Sequence, residues 1–328
     1  MNILQGTFEI AGQMGLLAGA LKRRGHLVTA YNCFHSYLGY HEHLINVTRD
    51  QLAQMFRYVE DSFDLYHFHY FSTFTSDYSD LYRLKEKGKK VIMHHWGDDV
   101  RQLAWARRNN PYVNTHGAFS DDFIHERLAR LAPYMDAAIV QDAEVLSYVT
   151  PYYRQSHVLP ITIDLRKFPY TPPANLREPL IVHAPTNPVF KGTSFIENTL
   201  EMLRREFSFR YVRVEGMSHE EAANVYRSAD LVIDQVLCGS YGLFSTEAMA
   251  LGKPVVCYIR EDLVGTFPPE LPIVSANPDT LYDTLRYLLQ NPEVMANHGA
   301  RGRAYAEQYH DVNVVGAKLL AIYETVMQ

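Results

Sequence analysis

The chain has 328 residues, with 31 Lys and Arg, 37 Asp and Glu and 15 His, and a formal net charge of −6. With 47% apolar and 21% charged residues it has a globular composition, which excludes a disordered or fibrous chain, and its length suits two domains. The mild acidity argues against a nucleic-acid partner, which calls for a basic face, and no apolar run approaches the roughly 18 residues of a membrane span.

The opening MNILQGTFEI has no basic residue ahead of its apolar stretch and does not read as a secretory signal. Cys33, Cys238 and Cys257 are too few and too scattered for a disulfide framework and fit a reducing compartment. A cytoplasmic enzyme is the expectation.

In chain order, residues 2–6 read as a buried strand, 14–24 as a helix closed by Gly25, and 26–32 as the next strand. Further strands are expected at 65–70, 90–95, 137–141 and 157–160, with helical patterns between most of them. Short strands alternating with helices predict βαβ units and a parallel sheet. Residues 161–178, with three prolines and no periodicity, break the rhythm as a linker. The alternation restarts with strands at 179–184, 210–216, 231–236 and 253–259 and helices at 191–207, 218–228 and 245–251. The chain ends in helices at 280–289, 292–309 and 312–327. The expected fold class is α/β, with two Rossmann-like parallel-sheet domains facing across a cleft, since ligands sit beyond the carboxyl ends of such strands.

Residues 229–259, ADLVIDQVLCGSYGLFSTEAMALGKPVVCYI, carry the most information. A buried strand runs into a loop with Gly239 and Gly242, and a helix starts near Phe244. Glycine lets backbone approach a ligand, and free N–H groups at a helix start favour an anion. Glu247, a turn further on, is placed either to accept hydrogen bonds from sugar hydroxyls or simply to complement the helix dipole. In residues 183–193, HAPTNPVFKGT, Lys191 precedes a helix start, where a cation opposes the dipole unless an anion joins it; an ordinary exposed lysine is the alternative. At the end of the 90–95 strand, His94, His95, Trp96, Gly97, Asp98 and Asp99 bunch polar groups where a site is expected, or where an aspartate caps a helix. The first strand-to-helix turn carries Gly6, Gly12 and Gly15 without forming a GxGxxG motif.

These segments together resemble the retaining glycosyltransferases of family 4, which have the GT-B fold. Ser240-Tyr241-Gly242-Leu243 is similar to that family's glycine-aromatic core, and Glu247-Ala248-Met249-Ala250 and Gly252-Lys253-Pro254-Val255 match its continuation. Gly239 stands where the family has a first glutamate, and the family's arginine before Lys191-Gly192 is absent, with Thr186 or Asn187 near its place. The resemblance implies a nucleotide-sugar donor whose ribose is held by Glu247 and whose diphosphate is held by Lys191 and the amides around Gly242, Leu243 and Phe244. It implies Gly12 beside the donor, and His95 and Asp98 orienting the transferred sugar, so that Lys191, His95 and Asp98 form the catalytic set. Residues 140–168 resemble the family's interdomain passage. The implied domains are an acceptor-side domain at 1–165, a donor domain at 166–310 and a C-terminal helix at 311–328 crossing back to the first.

The function so implied is transfer of a hexosyl or related group, with retention of configuration, to a glycan, lipid-linked or small-molecule acceptor in polysaccharide or glycoconjugate synthesis. No cofactor or metal is expected beyond the nucleotide-sugar co-substrate. The alternatives are a non-catalytic nucleotide-sugar-binding subunit and a sugar-nucleotide epimerase or hydrolase on the same fold. The aromatic-rich loops between residues 31 and 82 are the expected acceptor surface. The histidine pairs His41/His43, His67/His69 and His94/His95 invite a metal, and His67 and His69 share a strand face. No HExxH or paired-Cys motif joins them, so core or cleft histidines are expected. The basic groups Lys22-Arg23-Arg24 and Lys85 to Lys90 flank turns at helix ends and offer at most weak contact with an anionic membrane face.

Overall fold

The computed structural model describes residues 1–115 and 119–328, which form two compact units. The first comprises residues 1–102, 119–162 and 312–328, and the second residues 103–115 and 163–311.

In the first unit, strands β1 (Asn2–Thr7), β2 (Leu27–Asn32), β3 (Ile45–Asn46), β4 (Leu65–His69), β5 (Lys90–His95), β6 (Ala137–Val140) and β7 (Ser156–Val158) form a parallel sheet in the order β3-β2-β1-β4-β5-β6-β7. β4 and β6 are buried along their whole length, as strands covered on both faces require. Ile3, Leu65, Ile92 and Ile139 of the sheet pack with Leu17 and Leu21 of the helix Gln13–Arg23 and with Val315, Leu319 and Tyr323 of the helix Val312–Met327. The two helices approach closely because residue 316 is glycine: a β-carbon there would come within 2.7 Å of Ala20 Cβ.

In the second unit, β8 (Leu180–His183), β9 (Arg210–Arg213), β10 (Leu231–Ile233) and β11 (Val255–Val256) form a parallel sheet ordered β11-β10-β8-β9. Residues 103–115 cluster with this unit, although the sequence places them inside the first domain. Asn110 holds them there, its buried amide donating to Leu237 O at 2.8 Å and Cys238 O at 2.9 Å. The strands expected at 231–236 and 253–259 are shorter than their apolar runs, because the backbone leaves the sheet at Asp234 and again after Val256.

Each sheet has one place where its strand order reverses, between β1 and β4 in the first and between β8 and β10 in the second. At such a point the connections from neighbouring strands depart to opposite faces and leave a crevice beyond the strand ends.

Candidate functional site

Asp234 is the first residue after β10, and Lys191 lies in the turn after β8, so the reversal in the second sheet brings them together. Lys191 Nζ is 2.7 Å from Asp234 Oδ1 and 3.3 Å from Ala184 O, with its side chain 12% exposed. The other oxygen, Oδ2, accepts from Ser245 Oγ at 2.6 Å and Ser245 N at 3.2 Å. Burial pushes the Asp234 carboxyl up, but the Lys191 charge and the hydrogen bonds outweigh it, and the group is held below the usual carboxylate range. Lys191 also lies 5.5 Å from the centre of the Phe244 ring.

The local backbone explains this arrangement. Asn187 caps the short helix Pro188–Lys191 by accepting from Phe190 N at 3.1 Å. Gly192, at φ 80°, ends that helix and opens Thr193–Leu203, and a β-carbon on it would strike Val236 and Leu237 at 2.7 and 2.8 Å. Lys191 therefore sits in the last turn of one helix, where a cation is favoured, and already has an internal partner. It also directly precedes Gly192, the N-cap of Thr193–Leu203, as the sequence places it. Thr186 is exposed beside it, and Asn187 serves as a cap.

The helix Leu243–Leu251 starts at the same point, and among the described residues no group accepts a hydrogen bond from the amides of Gly242, Leu243 or Phe244. Gly242 has φ −117°, which any residue adopts, and a β-carbon on it would meet nothing nearer than 3.8 Å. Its lack of a side chain leaves the space over these amides open. Gly239 is the glycine the backbone demands, at φ 90° and against the Arg260 side chain.

Glu247, on the next turn, is 3% exposed, and its Oε1 lies 2.5 Å from His219 Nε2. Burial disfavours a charge on His219, yet Glu247 more than compensates, so the imidazole titrates above its ordinary value. Oε2 of Glu247 has no partner among the described residues. The chemistry that gathers here is a cation, a row of unused amides and a carboxylate with one free oxygen.

Lys253 has a different part. It is buried and donates to Arg227 O at 2.8 Å, pinning the backbone of the second unit. His183, at the end of β8, is also buried. Its Nδ1 faces Ile233 O and its Nε2 faces the Thr193 hydroxyl, both at 2.8 Å. A carbonyl only accepts, so Nδ1 carries the proton. Burial drives its pKa down to about 4.

In the first unit His95 is paired with the Asp99 carboxylate. His95 Nδ1 is 2.7 Å from Asp99 Oδ2 and Nε2 is 2.8 Å from the Tyr153 hydroxyl, and all three residues are buried. Asp99 Oδ1 accepts from the amides of Trp96 and Gly97 at 2.9 and 3.1 Å, fixing the turn after β5. Asp98 is 59% exposed and reaches Arg101 at 3.1 Å, while the same guanidinium binds Glu144 through two nitrogens. Gly12, at φ 78°, lies under the Tyr40 ring. The following helix start is closed by Glu9, which accepts from Met14 N at 3.2 Å and Gly15 N at 2.8 Å. Burial pushes the Glu9 carboxyl up to about 8 against those bonds. At the ends of β1, β2 and β4, Phe8 stacks on Phe34 at 4.0 Å and on Tyr70 at 5.0 Å between ring centres.

Asp234, His219 and Glu9 escape the sequence reading, and Asp99 enters it only within the polar bunch and as a possible helix cap. Only the acid at the end of LVIDQV carried a signal, since a charge closing an apolar strand marks the carboxyl end of a sheet.

Residues 195–321 match a family model described as glycosyl transferase-like. The MMP alpha-(1->4)-mannosyltransferase of Mycolicibacterium hassiacum is 24% identical over 256 residues, 69% of this chain and 61% of the relative, so less than two thirds of that protein's length is spanned. Among solved structures, sucrose-phosphate synthase from Thermosynechococcus elongatus superposes with a TM-score of 0.67 at 14% identity, over 99% of both chains. Anabaena HepE, solved in complex with UDP and glucose, gives a TM-score of 0.69 at 12% identity over 99% of this chain and 100% of that one. The fold is that of GT-B glycosyltransferases, with two parallel α/β sheets. In its C-terminal region the sequence too is glycosyl transferase-like. No helix among the described residues is long and apolar enough to cross a membrane.

Proposed function

We propose that the protein is a glycosyltransferase that takes a hexosyl or related group from a nucleoside-diphosphate sugar and transfers it with retention of configuration. The observation that carries this reading is the meeting of Lys191, the unpartnered amides of Gly242, Leu243 and Phe244, and Glu247 at the strand-order reversal of the second sheet. The amides and Lys191 receive the diphosphate and stabilise its growing charge as the sugar departs, with no metal needed for that task. Glu247, steadied by His219, accepts from the ribose hydroxyls through Oε2. The departing phosphate takes the acceptor's proton, which removes the need for the second carboxylate a glycosidase uses.

In the first unit, His95, Asp99 and Tyr153 brace the turn that presents Asp98, and we assign Asp98 to hydroxyl recognition. The Phe8, Phe34 and Tyr70 stack supplies an apolar face suited to a sugar-bearing acceptor, whether glycan, lipid-linked or small molecule. Polysaccharide or glycoconjugate synthesis is the setting this chemistry fits. The pairing of Lys191 with Asp234 favours one second reading, a non-catalytic nucleotide-sugar-binding subunit.

Thermal stabilisation by a panel of nucleoside diphosphates and their sugars, UDP and UDP-hexoses first, identifies the donor. Diphosphate release dependent on an added acceptor then separates transferase from binder, and the anomeric configuration of the product tests retention. Lys191→Ala is expected to lower turnover about 100-fold, the scale of one lost charge-stabilising donor. Glu247→Ala is expected to weaken donor binding about 10- to 100-fold, as loss of hydrogen bonds to a charged group does. Full activity in both variants overturns the assignment.

A further inference from the structure

The first sheet contains a cluster that glycosyl transfer leaves unused. His67 and His69 alternate along β4 and so share a face, and His94 on β5 stands opposite His69 in the strand register. All three are fully buried, and their rings lie 4.5 Å (His67 to His69), 5.3 Å (His67 to His94) and 5.2 Å (His69 to His94) apart between centres. His67 Nδ1 meets the Tyr323 hydroxyl at 2.6 Å, and His69 Nδ1 accepts from the Trp96 indole at a long 3.3 Å. Among the described residues, His67 Nε2, His69 Nε2 and both nitrogens of His94 have no hydrogen-bond partner. Four orphaned ring nitrogens on one buried face are exceptional, since buried polar atoms are nearly always paired.

The geometry points to a binding site for one divalent transition-metal ion, zinc foremost, held by His67, His69 and His94. One ligand atom from each histidine lies within 4.8 Å of the others. A tetrahedral ion with nitrogens at about 2.0–2.1 Å sets them roughly 3.3 Å apart. The rings are stacked within 25° of parallel, so closing on an ion requires them to turn their nitrogens toward one another. Burial also holds all three imidazoles well below the usual histidine value, so their lone pairs are unprotonated at neutral pH. Tyr323 orients His67 from behind, in the way outer partners orient metal-bound imidazoles. Ligation through His69 Nε2 puts a proton on Nδ1 and so displaces the indole contact. The ion ties the ends of β4 and β5 together and keeps one coordination position for water. This inference stands on the first unit alone and is independent of the donor-site reading.

The test uses the full chain, expressed with added zinc and passed over a chelating resin, with metal content read by elemental analysis. About one zinc per chain is expected in the parent and none in His67→Gln/His94→Gln, with folding checked by circular dichroism. A second readout leaves the cluster intact. In Trp105→Phe, Trp96 is the only tryptophan, stacked 4.0 Å from His94, and nickel added during refolding is expected to quench its emission at one equivalent. Substoichiometric zinc in the parent overturns the site, as does an undiminished equivalent in the folded double variant or unquenched Trp96 emission.

Discussion

Lys191 and Asp234 show how a residue's meaning changes once its partner is known. From its neighbours alone Lys191 is a cation awaiting an anion, while in the folded chain Asp234, 43 positions later, already neutralises it. A diphosphate must then compete with, or share, an internal carboxylate. Asp234→Asn removes that competitor and leaves the lysine charge uncompensated. The variant is expected to lose about 2 kcal/mol of stability, less than a fully buried pair because Lys191 keeps some solvent contact. Its melting temperature is expected to rise more than the parent's on adding the best-binding nucleoside diphosphate. A smaller ligand-induced rise places the diphosphate elsewhere. Glu247 was legible from its spacing to Gly242, because one helical turn is a local relation. His219, its partner 28 residues earlier in the chain, was not.

At the scale of elements, the proposed donor site depends on how the helix Leu243–Leu251 is seated. It is buried on nearly every side and ends at Gly252, in a left-handed conformation that the Tyr170 ring covers. The helix Pro292–Tyr309 lies against it through Gly299 and Gly302. A β-carbon at Gly299 would come within 2.3 Å of Gly252 O, a backbone atom that has no rotamer to escape into. Gly299→Ala should thus cost about 1–3 kcal/mol despite alanine's better helix propensity, through overpacking. Denaturant unfolding measures this directly, and a variant as stable as the parent would show that the two helices have slack. The same scale explains why Asp99, rather than its neighbour Asp98, pairs with His95 in the first unit. Both aspartates follow His95 closely, and only the turn geometry decides which of them points back to the ring.

For the whole molecule, the formal charge of −6 describes the surface and says little about the buried titratable groups. His183 has its pKa depressed from 6.5 to about 4, with burial the leading cause. Between those two values the unfolded chain holds more protons than the folded one. Its contribution to stability is therefore intact above pH 6.5 and is lost as the pH falls toward 4, by about 3 kcal/mol for a shift of this size. His183→Gln is expected to be less stable than the parent at pH 7.5, through lost hydrogen bonds, with the gap closing as the pH approaches 4. Melting temperatures of both chains across that range check this, and a constant gap would remove His183 from the acid response. The C-terminal helix Val312–Met327 belongs to the same scale, since it completes the core of the first unit through Val315, Leu319 and Tyr323.

The sequence by itself determined the alternation of strands and helices, the parallel class of the sheets, the helix starts at Gly192 and Gly242, and the place of Glu247 one turn into the second. Each of these is written in relations a few residues long: apolar runs, turn residues and one-turn spacings. Only the tertiary structure decided the order of strands within each sheet, and with it the reversal that sets Lys191 beside Asp234. It alone closed the first helix start with Glu9, moved residues 103–115 to the second unit through Asn110, and brought His94 to the face that His67 and His69 share. Those outcomes depend on which distant side chains share a buried space. The cost of leaving a polar atom unpaired there, which no local pattern records, selects among them.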